Sequence, residues 1–127
     1  MNERAMNTGQ KGFSLVELMI VMGILAVIAA FALPAYVSYT ETAEDGRLIN
    51  NVQTMRPFQE DFFLRNGAYA VNLADIDAID NAIGWRPRDN DGVTYSIANG
   101  DGTTYSVTAV GPEGATICRI FPANDPC

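Results

Sequence analysis

The chain has 127 residues and a formal charge of −7, with fifteen acidic residues against eight basic ones and no histidine. An acidic surface keeps soluble parts dispersed and argues against nucleic acid as a main partner. With no histidine and only two cysteines, no zinc knuckle can be completed, and any acid–base catalysis would rest on carboxylates alone.

Residues 1–12 are polar, with Arg4 and Lys11 against Glu3, and read as a leader peptide rather than a fold element. Met6 offers a second start for a leader of the same character. Losing those twelve residues leaves a charge near −8 and no lysine. From Phe13 the chain is apolar for more than twenty residues, broken only by Glu17, and the next ionisable acid or base other than tyrosine is Glu41. About 20 apolar residues cross a bilayer as a helix, which satisfies its backbone hydrogen bonds within the segment. Basic residues before the run and Glu41, Glu44 and Asp45 after it put the N-terminus in the cytoplasm.

Glu17 is the anomaly in this run. A carboxylate near the centre of such a helix costs about 2.5–3.5 kcal/mol, and less near an end. It lies one turn after Phe13, so an amine created by a cut between Gly12 and Phe13 could pair with it, within its own chain or from another. The other reading leaves Glu17 unpaired at the headgroup level. An ordinary secretory signal, cut at Ala30-Phe31-Ala32, is the competing interpretation of the run; a charge inside its apolar stretch tells against it.

The helix is expected to continue past the apolar run. Pro34 should kink it, because proline lacks an N–H and clashes with the preceding turn; Gly23 is a second weak point. Tyr36, Tyr39, Ala43, Leu48, Val52, Met55 and Phe62 then recur at roughly helical spacing, an apolar stripe that needs cover. Pro57 predicts a second bend, or else a stop near Arg56 and a restart with the proline in the first turn. Asn66-Gly67 supplies the stop. An unbroken helix from Phe13 to Arg65 would be about 80 Å long, a rod that suits a filament better than a compact domain.

Residues 67–92 read as a connection laid over the rest, with Leu73, Ile76, Ile79 and Ile83 spaced for a short helix. Trp85-Arg86-Pro87-Arg88 is a local patch of positive and aromatic character that could stack on and grip a nucleic acid; a packed tryptophan with solvated neighbours is the plainer reading. Asp89-Asn90-Asp91-Gly92 and Asn99-Gly100-Asp101-Gly102 resemble fragments of calcium-binding loops, but the longer ligand series is absent and tight-hairpin turn chemistry explains both. From Val93 the period becomes two: Val93–Ile97, Tyr105–Ala109 and Ala115–Phe121 predict three antiparallel strands in a meander. The expected fold class is therefore α+β, a long kinked N-terminal helix packed on a small antiparallel sheet. Its parts are a leader (1–12), a transmembrane or filament-core helix (13–39) and a globular head (40–127). Cys118 and Cys127 can close a loop of about ten residues by a disulfide, a staple for a small core in an oxidising compartment; two free thiols are the alternative.

The string Lys11-Gly12-Phe13-Ser14-Leu15-Val16-Glu17, with the apolar helix that follows as far as Pro34-Ala35-Tyr36, resembles the processing site of type IV pilins and pseudopilins. Ser14 and Val16 stand where the family often has threonine and isoleucine. The resemblance implies cleavage after Gly12 by a prepilin peptidase, N-methylation of Phe13, and Glu17 as the residue that registers subunits during assembly. It also implies a structural role without a cofactor, metal or catalytic residue. The implied partners are like subunits or other pilins, an inner-membrane assembly platform and an assembly motor. The implied location is the bacterial inner membrane first and an extracellular or periplasmic filament afterwards. A C-terminal bridge is common in the pilins, which favours Cys118–Cys127 pairing and a pilin over a type II secretion pseudopilin. A membrane-anchored enzyme is the reading of another class, and no constellation of residues supports it.

Overall fold

A computed structural model of the chain describes Gly9 and residues 11–88, 92–98 and 100–127. Most of the leader (1–8 and 10) lies outside the described residues. So do Asp89, Asn90, Asp91 and Asn99, and with them much of the two stretches weighed for calcium. The chain divides after Ser38 into two compact units. Helix α1, Leu15–Thr54, contributes residues to both.

In the first unit the helix is apolar on every side and its large side chains are all exposed, from Leu15 through Leu33 to Val37. It is long and apolar enough to cross a membrane. Pro34 lies inside α1, whose helical conformation runs through it.

The second unit is α+β. Leu48, Val52 and Met55 of α1 are fully buried, three positions of one helical stripe. Tyr39 and Ala43, expected on the same stripe, are exposed, and Phe62 is half-buried. The α-helical ladder is interrupted at Met55, yet Met55 keeps right-handed helical angles (φ −72°, ψ −26°). Its N–H reaches back only three residues, to the Val52 carbonyl at 3.2 Å. Helix α2, Arg56–Asn66, follows at once, with Pro57 in its first turn, where the missing N–H costs nothing. So the helical path bends rather than stops. It ends as expected at Gly67, whose left-handed φ of 75° no β-carbon obstructs and whose N–H donates to the Phe63 carbonyl at 2.7 Å.

The connection contains helix α3, Ile76–Ile83. Asp75 caps it, accepting from the Ala78 N–H at 2.8 Å, and Gly84 ends it at φ 74°. Ile79 and Ile83 turn inward.

Four strands form a meander in the order β1-β2-β3-β4: Thr94–Ile97, Tyr105–Val110, Thr116–Phe121 and Asp125–Pro126. All pairs are antiparallel, with Tyr95 opposite Ala109 and Thr108 opposite Cys118. Tyr95, Ile97, Tyr105, Val107, Ala109, Ile117 and Phe121 point into the core and meet Leu48, Val52 and Met55. The three expected strands are present; β4, two residues long, is an addition that pairs with Arg119 and Ile120. The hairpin turn expected at Asn99-Gly100 falls partly outside the described residues; β1 ends at Ile97 and β2 begins at Tyr105, and the described part of the connection holds a turn at Asp101. There Asp101 Oδ1 accepts from the Thr103 N–H (2.9 Å) and hydroxyl (2.7 Å) and the Thr104 N–H (3.2 Å). Those hydrogen bonds, the Thr103 hydroxyl first, hold its carboxyl below the usual range. That oxygen is committed to the turn.

Aromatic rings fill the head. Phe63, Tyr69, Tyr105 and Phe121 follow one another with centroids 4.7, 4.9 and 5.1 Å apart. Trp85 meets Tyr95 edge-on at 5.0 Å.

Candidate functional site

The start of α1 carries the residues singled out in the sequence. Gly12 and Phe13 precede the helix in irregular, exposed backbone, with Phe13 90% exposed. Ser14 is the cap. Its carbonyl takes the first helical bond, from the Leu18 N–H at 3.2 Å. Its hydroxyl accepts from the Glu17 N–H at 3.1 Å, and Glu17 Oε2 in return accepts from the Ser14 N–H at 2.9 Å. This reciprocal pair is a capping box, which satisfies two of the backbone donors that every helix start leaves open.

The capping box adds to both readings of Glu17. The carboxylate is neither idle at the headgroup level nor wholly dependent on an ammonium, because one oxygen is already engaged within its own chain. Sequence reasoning overlooked this, although Ser14-x-x-Glu17 ahead of an apolar run is its signature. The carboxylate is held one turn from Phe13 on an exposed apolar helix. No group of three or more metal-ligating side chains exists among the described residues.

In the head, Cys118 and Cys127 are joined, with Cα atoms 5.5 Å apart, the bridge fastening the C-terminus to β3. Trp85 is 2% exposed, and its indole N–H donates to the Thr54 hydroxyl at 3.1 Å. Arg86 is tied to Asp80 at 2.6 Å and Asp77 at 2.9 Å, which raise its already high proton affinity. The packed reading of this patch therefore holds for Trp85, while Arg86 and Arg88 are exposed, Arg88 without an ion pair among the described residues.

One further residue escaped the sequence. Gln59 is fully buried, its amide donating to the Ala70 carbonyl at 2.8 Å and accepting from the Ala70 N–H at 2.9 Å. It thereby ties the chain after Gly67 back onto α2 as a strand partner would. Beside it Tyr69 donates to Glu60 at 2.9 Å, and burial followed by that bond raises its proton affinity. Tyr105, buried behind them, has a hydroxyl with no partner among the described residues, and burial pushes its proton affinity well up.

A family model described as the prokaryotic N-terminal methylation motif matches residues 7–33. The chain is 42% identical over 67 residues to the type IV major pilin protein PilE1 of Neisseria gonorrhoeae, a match covering 53% of this chain and 41% of that one. It is 31% identical over 123 residues to the type IV major fimbrial protein FimA of Dichelobacter nodosus, covering 94% of this chain and 69% of the relative. FimA of Dichelobacter nodosus strain VCS1703A is 34% identical over 116 residues, covering 77% and 72%. The match thus spans about two fifths of the neisserial protein and more than two thirds of each fimbrial one. No solved structure gives a significant match.

Proposed function

Because the chain belongs to the type IV pilin family, we propose that it is a structural subunit of a type IV pilus-like filament. Its chemistry is assembly rather than turnover. The prepilin peptidase cuts between Gly12 and Phe13 and methylates the new amine; α1 anchors the subunit in the inner membrane until it enters the filament. There the apolar helices pack together, and the kink expected at Pro34 shapes that packing. The free oxygen of Glu17 takes the Phe13 ammonium of a neighbour, compensating a charge that is costly in apolar surroundings.

The observation that carries this reading is the methylation motif over 7–33, which falls on an exposed apolar helix with its carboxylate held at the first turn. A membrane anchor alone would use that carboxylate only as a helix cap. Intact-mass and N-terminal mass spectrometry of the membrane-bound and sheared surface fractions tests it. The expected mature chain begins at Phe13 with one extra methyl and is found in both fractions. A chain beginning at Leu33, cut after Ala30-Phe31-Ala32, would falsify the filament reading, and absence from sheared surface filaments would turn it toward a secretion pseudopilin.

A further inference from the structure

The proposed cut after Gly12 changes the acid–base character of the chain as well as its length. It carries off Arg4 and Lys11, and residues 13–127 hold no lysine and no histidine. Their six cations are all arginines, which keep their protons in water, and both cysteines are bridged. Carboxylates ordinarily titrate near pH 4 and phenols near pH 10, and burial holds Tyr69 and Tyr105 above that. A free α-amine titrates at about pH 7.7–8.0. By these ordinary values the cut chain has one group that exchanges a proton between about pH 6 and about pH 9, the new amine of Phe13.

Phe13 lies in exposed backbone ahead of α1, and the Ser14 N–H holds the Glu17 carboxylate one turn further on. From Phe13 to Thr40 the only other ionisable groups are the phenols of Tyr36 and Tyr39, about six turns away. A bundle of these helices therefore brings together one cation and one anion per subunit, with nothing else at that level to neutralise either. We infer that assembly of this chain is proton-linked through the Phe13 amine: the filament takes the subunit in its ammonium form, and a subunit leaving it above about pH 8 gives that proton to the solvent. The sign follows from Glu17. Beside an ammonium its carboxylate is compensated; beside a neutral amine it is a buried charge without a partner, which is much the worse state. The assembled chain thus holds the proton more tightly than the free subunit does. Filament stability is complete below the range of the free amine and is lost as pH rises through and beyond it, by at most about tenfold in subunit affinity per pH unit.

The inference rests on the filament reading, and the test separates the two. Sheared filaments of the processed chain are dissolved by detergent at constant salt in a pH-stat, at about pH 6.5 and again at about pH 8.7, on either side of the free amine. Dissolution is expected to release less than about 0.1 proton per subunit at the lower pH and more than about 0.5 at the higher. Glu17→Gln filaments should behave in the opposite way. With no carboxylate to meet, the amine enters the apolar core neutral, so dissolution takes up more than about 0.5 proton per subunit at about pH 6.5. The two wild-type measurements decide even where Glu17→Gln filaments are too few to titrate. Equal wild-type release at the two pH values, or release below about 0.1 at both, overturns the proton link and leaves the filament reading standing. Glu17→Gln filaments that release protons as the wild type does also overturn it, because Glu17 then does not hold the proton. If the unmutated chain forms no sheared filaments at all, the filament reading falls and takes this one with it.

Discussion

The two units of this chain are built on opposite terms, although one helix supplies both. Between Leu15 and Val37 the large side chains are exposed and, apart from Glu17 and the Tyr36 hydroxyl, apolar; the Ser14–Glu17 pair sits at the very start. In the head the same helix turns a single stripe inward, at Leu48, Val52 and Met55, and buries it under a sheet. The first unit has no internal core and borrows its stability from its surroundings, first lipid and then, on the reading above, neighbouring helices. The head is self-sufficient, with aromatic packing, a disulfide and a buried amide clamp. A substitution in the first unit should thus show itself in assembly, and one in the head in folding.

Glu17→Leu should produce the largest effect and breaks the comparison most directly. It is expected to insert, be processed and fold its head, yet to be missing from filaments, a loss of about 3–5 kcal/mol for an uncompensated buried ammonium. Glu17→Gln sharpens the point, because glutamine at this position can still complete the capping box but brings no charge. It should fall between the two in sheared-filament yield. Wild-type yield from Glu17→Gln would mean that the carboxylate serves only as a cap.

Gln59→Leu tests the other side. It removes both bonds to Ala70 and leaves a buried N–H and carbonyl unsatisfied, so the head should lose about 2–4 kcal/mol in urea unfolding of the detergent-solubilised chain. Processing after Gly12 should be untouched. A change below about 0.5 kcal/mol would mean that water replaces the amide, and that the clamp contributes little.

The smallest effect concerns Tyr105. Its proton affinity is raised in the folded state by burial, then by Tyr69 and Glu60, against an opposing Arg56. A raised folded value means that the unfolded chain gives up the proton first. Stability is therefore complete below pH 10, near the ordinary phenol value, and declines as pH rises beyond it. Tyr105→Phe should remove part of that alkaline decline and, because the hydroxyl has no partner among the described residues, change stability at pH 8 by less than about 1 kcal/mol. Unfolding curves at pH 8 and pH 11 give both numbers; an unchanged alkaline slope would shift the effect to Tyr69.

Most of this architecture was legible because it rests on strong local signals. The apolar run, the Gly67 stop, the α3 spacing and the three alternating strands each follow from periodicity or from one glycine. Three features were less legible, for different reasons. Gln59 lies where the stripe of Leu48, Val52 and Met55 next comes round, but a polar residue there reads as solvent-facing until Ala70 is seen opposite. Strand β4 has only two residues, one of them proline, too few to show a period. The Ser14–Glu17 box was hidden by the charge itself, which drew attention to a distant partner and away from a near one.

The Ser14–Glu17 box bears on the cleavage proposed between Gly12 and Phe13. A helix start carries a partial positive charge from its aligned peptide dipoles, and a carboxylate in the first turn balances it. Both bonds of the box lie at Ser14 and Glu17, so a cut between Gly12 and Phe13 removes no donor or acceptor from the helix end. The subunit need not refold on being cut; only its electrostatics change. A neutral peptide link becomes a cation seated at the positive end of the dipole, and the one carboxylate already there must now balance both. On the proposed reading, maturation leaves the conformation of the helix start alone and converts a balanced end into one that gains from a second carboxylate, which the next subunit would carry.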